Sequence, residues 1–272
     1  MVGAHTGRGE PGLRVRAPAR SGTIDHVTDP TPPLPRPAAD TTAVLLPGTG
    51  SDADFVSRAL GPLAAWIATR VVAVQAEHGR LTESYRRALD EAAADGPVLV
   101  AGVSIGAMIG ARWARERPES LTGLIAAMPA WCGDPEPAPA AASARHTAHL
   151  LDHTGLPATI AAMRAGSPPW LADELARSWT ALGDGLAATM REAGAHHAIE
   201  AHELAGITAP TVVVSATDDP LHPLTVGRAW AAHLPRARLA TFTLDELGAD
   251  PAVLSDRGAR AWHRVIADHP AR

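Results

Sequence analysis

Beyond residue 41, short apolar runs alternate with longer segments in which apolar residues recur at helical spacing. The short runs predict strands buried on both faces, and the longer segments predict helices that cover them. The predicted strands are Ala43–Leu46, Arg70–Val74, Pro97–Ala101, Leu121–Met128, Pro210–Ser215 and Ala237–Leu244. The predicted helices around them are Asp54–Thr69, Tyr85–Ala94, Ile105–Arg117, Leu224–His233 and Pro251–Asp268. This order predicts an α/β fold with a mostly parallel, doubly wound sheet.

The alternation stops between the fourth and fifth predicted strands, where helical patterns and proline breaks occur without a strand pattern. The helices predicted there are Ala140–Asp152, Leu156–Ala165, Leu171–Ala181 and Leu186–Leu204. We therefore expect a helical cap at residues 130–209, inserted into a core formed by residues 41–129 and 210–272.

Residues 1–40 are rich in Arg, Gly and Pro and lack the apolar segment of a secretory signal, so we expect a disordered extension. No apolar run is long enough to cross a bilayer, and we expect no membrane partner. The single cysteine, Cys132, cannot form an intrachain disulfide, which favours a cytoplasmic location.

Charge and composition narrow the chemistry further. The net charge of −5 argues against a nucleic-acid partner. The chain has 24 arginines and no lysine, which excludes Schiff-base and P-loop lysine chemistry. Because no dinucleotide-type glycine motif occurs, we expect no cofactor, and a small-molecule substrate is the expected partner. The oligomeric state stays open, with a homodimer as one alternative.

One hydroxyl interrupts the most apolar stretch of the chain. The motif Gly102-Val103-Ser104-Ile105-Gly106 follows a predicted strand and precedes a predicted helix. Glycines two residues before and after a serine allow a turn so tight that the hydroxyl projects alone, and a helix N-terminus favours developing negative charge. Ser104 is therefore a candidate nucleophile, the alternative being a small residue that fills a turn.

A second glycine-rich turn, Pro47-Gly48-Thr49-Gly50, follows the first predicted strand. Its backbone can turn so that an N–H group faces the serine, which predicts an oxyanion hole formed by the N–H groups of Thr49 and Ile105. Alternatively, this is an ordinary strand-to-helix turn in which Asp52 or Ser51 caps the helix.

These two motifs, together with Ala216-Thr217-Asp218-Asp219-Pro220-Leu221-His222-Pro223, give residues 41–272 a resemblance to the α/β-hydrolase superfamily. The resemblance implies a sheet of that type with a cap in the usual place. It also implies that Asp219 is the acid of a catalytic triad, with Asp218 as the alternative. Family members carry the triad histidine after the last strand, and here Ala249 occupies that slot.

The missing histidine leaves three accounts of the base. His222 is the leading substitute, because it follows Asp219 at the carboxyl edge of the predicted sheet, whereas His78 and His263 are weaker candidates. A carboxylate could act instead, the candidates being Asp219, Asp250 and Glu246. In the third account, the fold and pocket are kept without hydrolytic turnover.

The histidines of the predicted cap, together with Cys132 and Trp131, are interpreted as structural or surface residues rather than as catalytic ones. His146, His149 and His153 share one face of a predicted cap helix, which we interpret as a solvated stripe rather than a metal site. The group His196, His197, His202 and Glu203 lacks metalloprotease spacing and is interpreted as surface. We expect Cys132 to be inert, and Trp131 to lie where the fourth strand meets the cap.

The resemblance implies a serine hydrolase with an incomplete triad, acting on an ester or thioester of a small to medium apolar acyl compound. The alternative is a catalytically silent or non-hydrolytic relative that binds a small apolar ligand in the same pocket. Metal-dependent hydrolysis through the cap histidines ranks last.

Overall fold

A computed structural model describes residues 40–268. The extension expected at residues 1–40 lies outside the described residues except for Asp40. Six parallel strands form one sheet in the order β2-β1-β3-β4-β5-β6. Their bounds are Thr42–Leu46 (β1), Arg70–Ala73 (β2), Val98–Val103 (β3), Leu121–Ala127 (β4), Thr211–Ala216 (β5) and Ala237–Phe242 (β6). The predicted fold class is confirmed.

Helices cover both faces of the sheet. Their bounds are Ala53–Ile67 (α1), Leu81–Asp95 (α2), Ile105–Glu116 (α3), Leu224–His233 (α7) and Val253–Asp268 (α9). Side chains of β1 alternate between the two faces: Ala43 and Leu45 pack with α1 and α9, whereas Val44 and Leu46 pack with α2, α3 and α7. This alternation divides the core into two apolar layers. Because all six strands are parallel, their carboxyl ends lie at the same end of the sheet.

Between β4 and β5, in the segment predicted as the insertion, the chain forms helices and contributes no strand to the described sheet. These helices are Pro139–Ala165 (α4), Pro169–Leu182 (α5) and Leu186–Gly194 (α6). Helix α4 is interrupted at Gly155, whose φ of +77° lies in the left-handed region, so the two helices predicted there are observed as two halves. Among residues 40–268, no helix combines the length and apolarity needed to cross a membrane.

The predicted helix Leu186–Leu204 is too long. Helix α6 ends at Gly194, and a separate 3₁₀ turn covers Ala201–Gly206. The intervening residues Ala198 and Ile199 are fully buried, so packing against the core holds this part out of helical form. The new turn begins with a reciprocal cap in which the side chains of Glu200 and Glu203 accept from backbone N–H groups.

The predicted strand Ala237–Leu244 is also too long. Strand β6 ends at Phe242, and a short helix, α8, covers Leu244–Ala249. Thr243 ends the strand because its side chain accepts from the Glu246 N–H, and the Glu246 carboxylate accepts from the Thr243 N–H at 2.8 Å.

Candidate active site

Ser104 lies on a strained turn between β3 and α3. Its φ of +53° and ψ of −115° are rare for a residue with a side chain. A Cβ on Gly102 would lie 2.4 Å from the backbone of Gly106, and a Cβ on Gly106 would lie 2.3 Å from the carbonyl oxygen of Leu46. The two glycines therefore let the turn close tightly, with Gly106 against the end of β1, and the Ser104 side chain projects from the turn.

His222 reaches this hydroxyl from the loop between β5 and α7. Its Nε2 lies 2.9 Å from Ser104 Oγ, and its Nδ1 lies 2.7 Å from Asp219 Oδ2. An ionised carboxylate can only accept, so Nδ1 carries the proton and Nε2 is free to accept from the serine O–H. The three residues form one hydrogen-bonded chain from acid to hydroxyl.

Asp219 is held in its ionised form. Burial by itself would raise the pKa of Asp219, but the hydrogen bond and charge of His222 lower it, as do the backbone N–H groups of Leu221 and His222. The net result is a pKa below the ordinary value for an aspartate. The carboxylate can therefore orient the imidazole and stabilise its protonated form.

The other candidate acids and bases make hydrogen bonds with groups other than Ser104 and His222. Asp218 Oδ1 accepts from the Leu244 N–H at 2.9 Å, so this carboxylate caps α8. Glu246 is occupied by the Thr243 cap and by Arg257, and the exposed Asp250 accepts from the Ala252 N–H.

Ala249 is exposed at the end of α8 and is not among the residues that line the cavity above Ser104. His78 is exposed and packs on Gly185, and His263 lies half-buried on α9; neither lines that cavity.

The turn after β1 lies beside the serine. A Cβ on Gly48 would be 3.6 Å from Ser104 Cβ. Within the described residues, the N–H groups of Thr49 and Ile105 donate no hydrogen bond, so both are available to an incoming oxyanion. The alternative role for this turn is also present, because Asp52 caps α1 by accepting from the Phe55 N–H at 3.0 Å.

A cavity of about 600 Å³ opens above Ser104. Its walls are mostly apolar and come from both the core and the helical insertion. Side chains that line it include Phe55, Met128, Trp131, Leu150, Met163, Trp170, Leu171, Leu175, Trp179, Leu244 and Leu247. The site can therefore hold an apolar group next to a hydrogen-bonded serine.

The histidines of the insertion do not form a metal cluster. Among residues 40–268, the only group of three close potential ligands is Asp52, Asp54 and Glu174, and it is paired with arginines. His146 is exposed at the cavity wall, while the ring centroids of His149 and His153 lie 4.0 Å apart with the rings tilted by 35°.

The surface interpretation of His196 is wrong. Its Nε2 is buried and has no hydrogen-bond partner among residues 40–268, and burial lowers its pKa to about 4. The burial follows from tertiary packing, since the Trp131 indole N–H donates to the His196 carbonyl oxygen at 3.2 Å. His197 and His202 are exposed as expected.

Sequence reasoning missed the side chains that support the site. Tyr85 is fully buried, and its hydroxyl donates to the Pro47 carbonyl oxygen at 3.0 Å. Burial raises the pKa of this phenol, so it stays protonated and able to donate. The sequence signal for this contact was that Tyr85 is the single tyrosine of the chain and lies near the start of a predicted helix.

Comparison with known proteins agrees with this architecture. The family model described as "Serine aminopeptidase, S33" matches residues 81–247, more than half of the chain. No curated protein sequence matches the chain. A hydrolase from Pseudomonas aeruginosa PA01 is 22% identical with a TM-score of 0.62, covering 86% of this chain and 92% of that one.

Two further solved structures have similar folds. A thermophilic esterase from Thermogutta terrifontis is 17% identical with a TM-score of 0.61, covering 82% of this chain and 89% of that one. The enol-lactonase from Burkholderia xenovorans LB400 is 18% identical with a TM-score of 0.59, covering 86% and 91%. At such identities the likeness shows the fold, and the family match makes the assignment: this chain belongs to the serine aminopeptidase S33 family of α/β-hydrolases.

Proposed function

We propose that the protein is a serine hydrolase that cleaves esters or thioesters of small to medium apolar acyl compounds. The observation that carries the proposal is the hydrogen-bonded chain from Asp219 through His222 to Ser104, at 2.7 and 2.9 Å. A serine is a weak nucleophile until a base accepts its proton, and His222 is within reach to do so. The helical insertion, residues 130–209, acts as a cap that sets specificity.

In the proposed reaction, Ser104 Oγ attacks the acyl carbon while its proton moves to His222 Nε2. The carbonyl oxygen becomes an oxyanion that accepts from the N–H groups of Thr49 and Ile105. His222 then donates the proton to the leaving alcohol or thiol as the acyl–Ser104 ester forms. Water, activated by His222, hydrolyses that ester and regenerates the serine.

The apolar cavity supports an acyl substrate rather than a peptide with a free amino terminus. An α-ammonium group needs an unpaired carboxylate in a dry site. Within the described part of the chain, the carboxylates that line the cavity are Glu174 and Asp219. Glu174 is paired with Arg58 and Arg177, and Asp219 with His222, so neither is free for an amine.

We also propose a cytoplasmic location, which the unpaired Cys132 supports. Its thiol is half-buried, and burial raises its pKa above the ordinary value, which suits an inert rather than a reactive cysteine.

The test is intact mass after incubation with a fluorophosphonate, followed by turnover of p-nitrophenyl esters of increasing acyl length. We expect one adduct on the wild type, none on Ser104→Ala, and an unchanged adduct on Ser143→Ala, another serine at the cavity wall. An amino-acid p-nitroanilide should not be turned over. A folded wild type without an adduct would refute the proposal and favour ligand binding without turnover.

A further inference from the structure

Helix α5 of the insertion lies directly on the turn that carries Thr49. The turn comprises residues 47–52, and we refer to it as the oxyanion loop. Ser178 is buried, and its hydroxyl donates to the Gly50 carbonyl oxygen at 2.6 Å, closer than its 3.2 Å contact with Leu175 in its own helix. This bond joins the insertion to the loop one residue after Thr49.

The next residue of α5 shapes the same point. Gly50 has a φ of +72°, and a Cβ there would lie 2.6 Å from Trp179 Nε1 and 2.8 Å from Met190 Cε. The indole of Trp179 therefore lies so close to the loop backbone that only a glycine fits at this position. Trp179 is buried and also lines the cavity, so it links the loop to the substrate space.

A third contact comes from Arg177. Its Nη1 and Nη2 atoms donate to the two oxygens of Asp52 at 2.6 and 3.2 Å, in a fork-like pair. Asp52 is nearly buried, and the same carboxylate caps α1. Burial alone would raise the pKa of Asp52, but the Arg177 and Phe55 hydrogen bonds and the charges of Arg177 and Arg58 hold it below the ordinary value.

The loop is thus held from two sides. Tyr85 of the core donates a hydrogen bond to the loop at Pro47, and side chains of α5 donate hydrogen bonds to it at Gly50 and Asp52. Thr49 lies between these points and, within the described residues, makes no hydrogen bond of its own. Its neighbours therefore set the direction of its N–H group.

We propose that Ser178 and Arg177 are positioning residues for the reaction, which hold the oxyanion loop so that the Thr49 N–H faces the developing oxyanion. This inference rests on the proposed function. Oxyanion donors act by being fixed before the charge appears, so loosening one lowers the turnover rate more than it weakens substrate binding. The insertion consequently contributes to kcat as well as to substrate choice.

The experiment measures kcat and KM for p-nitrophenyl butyrate in Ser178→Ala and Arg177→Gln. Two substitutions on neighbouring helical surface serve as controls. Thr180→Ala removes a hydroxyl that, among the described residues, bonds to Ala176 of its own helix alone. Arg164→Gln removes an exposed arginine paired with Asp173. Rates are divided by the fraction of enzyme that a fluorophosphonate labels, so that partial unfolding does not lower kcat.

We expect kcat per labelled site to fall about tenfold in Ser178→Ala and Arg177→Gln, with KM within about twofold of the wild type. The two controls should match the wild type. Equal kcat in all five proteins would overturn the proposal.

Amide hydrogen exchange gives a readout that needs no turnover. Exchange at Ser51, whose N–H donates to the Gly48 carbonyl oxygen at 3.0 Å, should be faster in Ser178→Ala than in Thr180→Ala. Unchanged exchange there would overturn the positioning role. If the wild type is neither labelled nor active, the proposed function fails, and the exchange comparison alone decides whether α5 holds the loop.

Discussion

Asp219 and His222 are three residues apart in the chain, and Asp219 Oδ2 accepts from His222 Nδ1 at 2.7 Å. The other oxygen of Asp219 accepts from the backbone N–H groups of Leu221 and His222, so the loop folds around the carboxylate. One short segment after β5 thereby supplies an acid and an imidazole next to Ser104, and nothing is required from the end of β6.

This relationship predicts the effect of replacing His222. His222→Gln should lower kcat by about 10⁴-fold or more, because the base of such a triad accounts for up to about 10⁶-fold. Ala249→His should leave kcat unchanged, since Ala249 is exposed at the end of α8. The measurement is p-nitrophenyl ester turnover. Recovery of activity in a protein carrying both substitutions would contradict the assignment of His222.

Asp219→Asn should lower kcat by about 10⁴-fold, because the amide favours the wrong imidazole tautomer. Asp218→Asn is the matched control. An Asn side-chain oxygen can still accept from the Leu244 N–H, so this change should alter stability by about 0.5 kcal/mol or less and leave kcat unaltered. Kinetics and urea denaturation of both variants separate the two roles. A larger loss of kcat in Asp218→Asn would reverse the assignment of the acid.

The elbow glycines make a prediction about stability. Gly106→Ala places a Cβ 2.3 Å from the Leu46 carbonyl oxygen and should destabilise the fold by about 3 kcal/mol or more. Gly61→Ala, in α1, meets no described atom within 4 Å apart from its chain neighbours, and the strain that Pro62 imposes on a preceding Cβ offsets the helical gain, so stability should change by less than about 1 kcal/mol. The measurement is the melting temperature of each variant. Equal melting temperatures for Gly106→Ala and Gly61→Ala would show that the turn around Ser104 is not tightly packed.

The cavity predicts which acyl chains are accepted. Ala144 is buried at the cavity wall, whereas Ala142 is exposed on the same helix, α4. Ala144→Leu should therefore reduce kcat/KM for p-nitrophenyl octanoate more than for the acetate, by about tenfold in ratio. Ala142→Leu should leave the ratio unchanged. An unchanged ratio in Ala144→Leu would mean that the acyl chain lies elsewhere.

His196 predicts a pH dependence of stability. Its pKa is lowered to about 4 in the folded protein, so the unfolded chain binds the proton more tightly. The free energy of unfolding should therefore fall as the pH drops from about 6.5 towards 4, by on the order of 3 kcal/mol from this group. The His196→Gln protein should lose less stability over that pH range than the His202→Gln protein. The second variant is the control, because His202 is exposed and the buried His196 is retained. Equal losses in urea denaturation would contradict the burial of His196.

The strands and the serine turn could be predicted because their signals are local. Runs such as Val98–Val103 are buried on both faces, and the glycine spacing around Ser104 reports a steric requirement within five residues. The contact between His222 and Ser104 joins residues 118 positions apart, and only tertiary packing brings them together. Helix α8 was missed although Thr243 and Glu246 form a recognisable capping pair, because the apolar run before them extended the strand pattern.

Strands β4 and β5 are direct neighbours in the sheet, with Leu124 opposite Thr211. Because the two strands are parallel, the insertion leaves the core at the carboxyl end of β4, the end of the sheet that carries Ser104, and the chain returns at the opposite end, where β5 begins. Ser104, Asp219 and His222 all stay with the core when that segment is exchanged. A foreign segment would nevertheless arrive without the bonds to Gly50 and Asp52. A segment that brings a new substrate preference must therefore also restore the hydrogen bonds to Gly50 and Asp52. Exchanging the segment changes substrate preference and kcat together.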